Sequence, residues 1–397
     1  MANDNVLIVG AGPVGLSAAA ELVNAGIDVT VLEAGEKLST ESRASTFHPP
    51  TLDMLDRLGA AKPLIAQGLI ASSLQYRTHG KGVIAQFDFG DVADLTAHPY
   101  RVQSEQFKLT RILLDSLQQK PNFRIEFGAE LEGVEQDAHG VSARVQVNGK
   151  TDVRKGAWLL GADGARSKVR RSLDIEFEGF TWPERFLVLS TPYDFQARFP
   201  DLVSVNYVAA PQNWYFLLKI PNMWRVMFPV DAGVSDETAV LPEFGQSQLG
   251  RIVEGERFEI AHSTLYRVHQ RVAKTFRSGR AFLAGDAAHI NNPLGGMGMN
   301  GGIHDALNFA EKLLAVIGGK KDEKELDRYD LQRRQVTIEV VQRQTIQNKK
   351  DLEAKTEADQ AEFRDRLRRI AADRAESRQY LERVGMIASL RRAAEIA

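Results

Sequence analysis

The chain contains no cysteine in its 397 residues. Disulfides, thiolate zinc sites, cysteine nucleophiles and dithiol redox relays through this chain are therefore excluded. It also lacks an excess of either charge. Fifty Lys and Arg against 52 Asp and Glu leave a formal charge of -2, and the concentrated basic surface that nucleic acid requires is not expected. No stretch reaches the roughly 18 uninterrupted apolar residues of a membrane helix. The start is short and polar, and the apolar run at Val6 comes too early for a signal peptide with its own basic region. A cytoplasmic protein without a membrane span is the expectation. No internal repeat or low-complexity linker is present.

What is there is a globular composition, 43% hydrophobic and 26% charged, long enough for two packed units. The pattern predicts an α/β fold. A strand at Val6–Val9 leads through a glycine-rich turn into a helix over 14–25, which Gly26 ends, and a second strand runs over 28–33. One helix is expected over 51–66, extended chain over 72–89, and a further helix over 106–119. Short strands follow, ending at Trp158–Gly161. From 176 to 270 the style changes to strand-like pieces divided by Pro and polar turns, which suggests an inserted, mainly antiparallel sheet. The strand over 280–284 resumes the first style.

The expected organisation is a first domain over 1–175, with 72–100 contributing to the other unit, then a sheet domain over 176–270. The first domain returns over 271–320, and a helical C-terminal region covers 321–397. In that region Ile338, Val341, Gln342 and Thr345 fall along one helical face, and a stripe from Tyr380 to Leu390 is apolar. A charged, helix-forming face reads as solvated surface, a cap on the fold or a contact with a second subunit. A homodimer is the default expectation for the assembly.

Gly10-Ala11-Gly12-Pro13-Val14-Gly15 directly follows the first strand and opens the helix. Gly10 permits the tight turn, Gly12 leaves room for a pyrophosphate, and Gly15 lets helix and strand pack closely. The phosphate charge faces the free amides and positive end of the helix. Eighteen residues after Gly15, Glu33 ends the second strand, where a carboxylate accepts hydrogen bonds from an adenosine ribose. A tight turn with a surface acid explains either part alone but not their combination. The fingerprint does not choose between FAD and NAD.

Two later motifs are Gly161-Ala162-Asp163-Gly164-Ala165-Arg166-Ser167 and Gly285-Asp286-Ala287-Ala288-His289. With them, residues 4–315 resemble the single-component FAD-dependent aromatic hydroxylases, relatives of para-hydroxybenzoate hydroxylase. The resemblance implies a Rossmann-like FAD-binding domain, an inserted substrate sheet and a C-terminal helical extension. It places the FAD pyrophosphate over Gly10, Gly12 and Gly15 and the ribose at Glu33. It brings Arg43 and Gln103 to the flavin phosphates or ribityl chain, and Asp286 to the ribityl chain. Asp163 and Gly164 help hold FAD and influence the approach of the nicotinamide cofactor, with Arg166 nearby. Pro293-Leu294-Gly295-Gly296-Met297-Gly298-Met299-Asn300 resembles the loop beside the isoalloxazine. There Pro293 shapes the space at the reactive carbon, and the backbone around Gly298, Met299 and Asn300 meets the pyrimidine edge. His289 reads as structural.

The implied reaction uses NADH or NADPH and O2 to hydroxylate a small aromatic or heteroaromatic substrate through a flavin hydroperoxide, in a pocket that excludes water. Tyr207, Tyr215 and Arg225 are the substrate-side candidates, beside Asn206, Trp214 and Trp224, although strand alternation prevents all of them from facing one side. His48 and His79 are candidates to polarise a phenol. The para-hydroxybenzoate pocket itself does not transfer onto the middle domain. Two alternatives remain open: a related FAD epoxidase or quinone-precursor hydroxylase, and a non-catalytic FAD protein that binds an aromatic ligand.

Overall fold

A computed structural model describes residues 5–41, 44–210, 214–353 and 356–397. The first strand, Val6–Val9, is buried along its whole length, as an all-apolar run must be when helices cover both faces of a parallel sheet. It sits inside a six-stranded sheet. In spatial order the strands are Arg277–Ser278, Ala281–Leu283, Trp158–Gly161, Val6–Val9, Val29–Glu33 and Phe123–Phe127. All but the Arg277–Ser278 edge pair in parallel. The helix Pro13–Asn24 packs between Gln106–Leu117 and Met297–Ile317. Strands separated by more than a hundred residues thus lie side by side, with the middle of the chain looping out between them.

That middle contributes most of a second, eight-stranded sheet. Its order is His289–Ile290, His262–Ala273, Phe177–Thr191, Met223–Val230, Tyr215–Ile220, Val205–Ala209, Ser73–Thr78 and Gly82–Asp88. Only Val205–Ala209 and Ser73–Thr78 run parallel. The long strands Phe177–Thr191 and His262–Ala273 reach from the first body into this sheet, with a register shift between Thr181 and Arg185. Such an irregularity bends a strand and increases its twist. A two-residue side-chain period then divides the sheet into faces. Phe186, Val188, Tyr207, Leu218 and Met227 pack with Leu294 and the C-terminal helices. Leu187, Leu189, Tyr215, Trp224 and Phe228 pack on the far side with Phe195, Leu249 and Phe258.

The single helix expected over 51–66 is two, Pro49–Arg57 and Ala61–Gln67. Gly59 divides them by taking φ +69°, a left-handed conformation that no helix continues through. The C-terminal helices are integral rather than appended. Glu357–Ala372 packs on the edge strand Gly82–Asp88, covering backbone groups that would otherwise template aggregation. Leu367, Tyr380, Leu381 and Val384 join the core of the second sheet. Among the described residues no helix is long and apolar enough to cross a membrane.

If these helices belong to the core, Leu381→Ala, at a fully buried position, will lower the unfolding free energy by about 2–5 kcal/mol. Leu331→Ala, at a side chain 48% exposed, will change it by less than about 0.5 kcal/mol. Urea unfolding of the two variants checks this.

Candidate active site

Between the two sheets lies a cavity of about 710 Å³, in the upper part of the range of small-molecule sites, about 300–1,000 Å³. At one end stands the fingerprint turn. Gly10 has φ +104°, and a Cβ there would lie 2.5 Å from the Ala162 carbonyl oxygen, so two loops cross at van der Waals contact. A Cβ on Gly15 would lie 2.0 Å from the Gly10 carbonyl oxygen, whereas one on Gly12 would meet nothing within 4 Å. Gly10 and Gly15 are thus required by the chain's own packing. Gly12 is not, and the space beside it belongs to the cavity. The helix behind this turn starts at Pro13 without a side-chain cap, which leaves its first amides for an anion.

Glu33 closes the turn from the next strand. Its carboxylate accepts from the Ala11 amide at 2.7 Å and the Gly35 amide at 2.8 Å. Asp163 caps the short helix Lys168–Ser172 by accepting from the Lys168 and Val169 amides at 2.7 and 3.1 Å. Its other oxygen is buried without a partner, and burial raises its pKa. Gly285 has φ +58° and lies against the Val14 side chain, which brings Asp286 to the cavity.

Farther along, Gly295 and Gly296 take φ +104° and +67° and deliver the chain into Met297–Ile317. Asn300 holds this turn from within. Its amide group donates to Thr46 O at 2.8 Å and Gly296 O at 2.7 Å, while its oxygen accepts from the His48 amide at 2.9 Å. The His48 ring lies 2.9 Å from Gly295 O. Burial first, and then the Arg101 charge, hold that imidazole well below its ordinary pKa. It is neutral and donates through Nε2.

Of the residues singled out from sequence, Gly10, Gly12, Glu33, Asp163, Gly164, Arg166, Asp286, Pro293, Gly298, Met299, Tyr207 and Arg225 all line this one cavity. Gly15, Gln103, His48 and Asn300 are not among its lining residues. They pack in the protein around it, Gln103 accepting from the Thr46 hydroxyl at 2.8 Å with its Nε2 buried and unpartnered. Arg43 lies outside the described residues. His79 and Tyr215 are not brought to the cavity. They bond each other at 3.0 Å, and Tyr215 belongs to the core on the far face of the sheet. The reason is phase: Tyr215 is paired opposite Val208, next to Tyr207, so the two tyrosines point to opposite faces. Trp224 faces away for the same reason, one residue before Arg225. Asn206 binds Val203 O, and His289 is buried against Asp305 at 2.8 Å.

Sequence reasoning missed Arg101, Ser45, Gln106, Phe216 and Tyr266, all of which line the cavity. Arg101 had a usable signal, since it stands two positions before Gln103 in the strand Arg101–Gln103 and so shares its side. Arg101 is fully buried, with Nη2 donating to Val384 O at 2.8 Å and its carbon 5.2 Å from the Phe89 ring centre. Its Nε–H has no partner. Arg225 donates to the Ser45 hydroxyl at 3.0 Å and bonds Tyr266. Burial lowers its pKa, yet a guanidinium remains charged. Apolar side chains, Val188, Phe216, Leu218 and Met227, line the same cavity. Tyr207 stacks on Phe216 at 5.4 Å and on Tyr76 at 5.1 Å.

The FAD binding domain family matches residues 3–344 of the chain. The chain is 36% identical over 387 residues to the para-nitrophenol 4-monooxygenase of Pseudomonas sp. (strain WBC-3), which covers 95% of this chain and 94% of that protein. It is 33% identical over 350 residues to the 6-hydroxy-3-succinoylpyridine 3-monooxygenase HspB of Pseudomonas putida (strain DSM 28022 / S16), covering 87% and 88%. Among solved structures, p-nitrophenol 4-monooxygenase PnpA from Pseudomonas putida DLL-E4 superposes with a TM-score of 0.91 at 30% identity, covering 97% of each chain.

The fingerprint glycines separate packing from ligand binding. Gly12→Ala will leave the stability of the cofactor-free protein within about 1 kcal/mol and weaken dinucleotide binding at least about tenfold. Gly15→Ala will damage both. Cofactor titration and thermal melting of the stripped protein distinguish them.

Proposed function

The chain belongs to the family of FAD-dependent aromatic hydroxylases, and we propose that it acts on a small phenol with a second oxygen-bearing substituent, taken up as an anion. It is a monooxygenase that hydroxylates a small aromatic compound with O2, using NADH or NADPH as reductant. The observation that carries the substrate reading is the pair of buried guanidiniums, Arg101 and Arg225, lining the same cavity as Val188, Phe216, Leu218 and Met227. Among the described residues the Arg101 guanidinium donates to the Val384 carbonyl, and its buried Nε–H has no partner. Taking a cation out of water costs several kcal/mol. The Val384 carbonyl and Phe89 ring offset part of that cost, and an anionic ligand would supply the remainder. The substrates named for the two relatives above, a nitrophenol and a hydroxypyridine with a succinoyl arm, are both hydroxylated rings with a further oxygen-bearing group.

The residues present suit FAD. The open space at Gly12, the uncapped helix at Pro13 and the buried, unpartnered Asp163 oxygen are what a dinucleotide with a diphosphate would use. In this reading Gly10 and Gly12 cradle the diphosphate, Glu33 takes the adenosine ribose and Asp286 the ribityl chain. Gly298 and Met299 offer backbone to the edge of the ring system, and Pro293 limits the space beside it. Bound FAD supplies the hydride acceptance and oxygen activation that no side chain can. The protein's part is orientation and exclusion of water. Arg225 and Arg101 hold the oxygens of the substrate, Tyr207 and Phe216 face its ring, and neutral His48 fixes the turn at Gly295 without acting as a base.

The test is anaerobic stopped-flow reduction of the FAD-loaded protein by NADH and by NADPH, with a panel of phenolic and hydroxylated heteroaromatic acids. An anionic phenol is expected to accelerate reduction and to be hydroxylated on admission of oxygen. Arg101→Met and Arg225→Met will each weaken binding of that anion by roughly 10- to 100-fold, the worth of a hydrogen bond to a charged group, and a neutral analogue by much less. Titrating the flavin absorbance reads both. Bound flavin that neither nucleotide reduces under any condition would overturn the reading of a self-contained hydroxylase.

A further inference from the structure

The helical stretch from Glu325 to Leu352 carries no recognisable motif, yet it makes a row of buried hydrogen bonds to the loop that borders the cavity. Gln342 Nε2 donates to Ile290 O at 3.0 Å. Thr345 accepts from Gln270 at 3.0 Å, and the Gln270 oxygen in turn accepts from the Asn292 amide at 3.1 Å. Asn348 Nδ2 donates to Leu294 O at 3.2 Å. At the start of the stretch Arg333 donates to Asp305 at 2.7 Å, and Asp305 accepts from the Gly285 amide at 3.0 Å. The backbone is therefore held at 290, 292 and 294, within a loop whose Ile290, Asn291, Pro293 and Gly295 line the cavity.

A break in helical geometry makes this row possible. Gln342 stands nine residues beyond Arg333, which in an unbroken α-helix is the opposite side, about 180° away. Thr345 would be about 120° away. Residues Thr337–Gln342 instead form a π-helical turn. Its extra residue sets the following helix back by about 100°. That rotation turns Gln342 and Thr345 toward the side of Arg333, to within about 80° and 20° of it, and Val341 packs against Met297 and Met386. Such turns recur at functional sites because they re-aim side chains without ending the helix.

We infer that this π turn is a positioning device for the reaction: through Gln342 and Asn348 it fixes the loop from Ile290 to Gly295, and so sets how much of the reducing power ends in product. The inference rests on the proposed placement of the flavin ring beside that loop. Coupled turnover consumes NAD(P)H, a proton, O2 and the substrate, and returns NAD(P)⁺, water and hydroxylated substrate. Uncoupled turnover consumes NAD(P)H, a proton and O2 alone and returns NAD(P)⁺ and H2O2. A loop that drifts by a fraction of an ångström admits water or misplaces the substrate, and catalysis is sensitive to displacements of that order.

The experiment uses the full-length FAD-loaded protein as wild type, Gln342→Ala and Asn348→Ala, with Gln347→Ala on the exposed side of the same helix as control. Three quantities are read: the visible flavin absorption, the flavin reduction potential, and H2O2 released per NAD(P)H consumed with the phenol that most accelerates reduction. Gln342→Ala and Asn348→Ala are expected to shift the absorption and potential and to raise the peroxide fraction about three- to tenfold, the consequence of losing one buried hydrogen bond. Gln347→Ala should match wild type. Wild-type absorption, potential and peroxide fraction in both loop-contact variants, whatever their melting temperatures, would overturn the inference and leave the helix a purely structural role. Should Gln342→Ala not fold, Asn348→Ala decides alone. If wild type releases only peroxide with every phenol, the hydroxylase reading fails, while the absorption and potential still decide whether the turn positions the flavin.

Discussion

Asp305 is the group on which the arrangement of the site depends. It is fully buried, and one oxygen accepts from both the Gly285 amide and His289 while the other accepts from Arg333. Burial alone would drive such a carboxyl toward its neutral form. The Arg333 guanidinium and His289 outweigh that tendency, and its pKa lies below the ordinary value. A buried charge is tolerated only with complete hydrogen bonding, and removing one partner costs about 3–5 kcal/mol. Through this one carboxylate the Gly285 turn, the long helix after the cavity loop and the Glu325–Val336 helix are locked together. The turn that carries Asp286 can therefore not move without the C-terminal region.

The parts of this design that were legible in the sequence are those governed by local rules. A buried strand, a glycine turn and an acid at the end of the next strand are all encoded within 33 residues, and Gly10 and Gly15 have their steric reason there or in the loop that the turn crosses. The antiparallel pieces of the second sheet were equally readable, because Pro and polar turns delimit them. What was not readable was phase. Tyr207 and Tyr215 look alike as a pair of strand tyrosines, yet one lines the cavity and the other lies in the far core. That choice is made by how each strand pairs with its neighbour, which a single strand does not record.

Charge misled for a different reason. The C-terminal stretch reads as solvated helix because it is rich in charged residues, and Ile338 joins the expected face. In the fold Arg333 and Lys349 are almost wholly buried, and Ile338 is 37% exposed. Arg333 is satisfied by Asp305, while Lys349 bonds Glu353 and Glu184 and lies over the Trp182 ring. A long-range partner converts a surface-type residue into a core residue, and separation along the chain hides it. Arg101 is the extreme case, since its partner Val384 lies 283 residues away. The π turn adds to this by rotating the helix partway along, so that no single periodicity describes both halves.

The same buried cations bear on His48, one of the two histidines named from the sequence as candidates to polarise a phenol. His48 lies close enough to Arg101 for that charge to depress its pKa further after burial has already done so. A positive charge on His48 would stand in a buried site beside the Arg101 guanidinium, where Coulomb repulsion at low dielectric opposes it. His79 is bonded to Tyr215 on the other face of the sheet. Val188, Leu218 and Met227 line the cavity together with the Arg101 and Arg225 guanidiniums, a setting that suits a phenol already ionised. Under the proposed reading, then, the work of activating the ring is moved from a catalytic base to the binding equilibrium. The guanidiniums select the ionised form from solution, and the electron-rich ring arrives with its proton already lost. The cost appears as a dependence of affinity, rather than of the chemical step, on the acidity of the phenol.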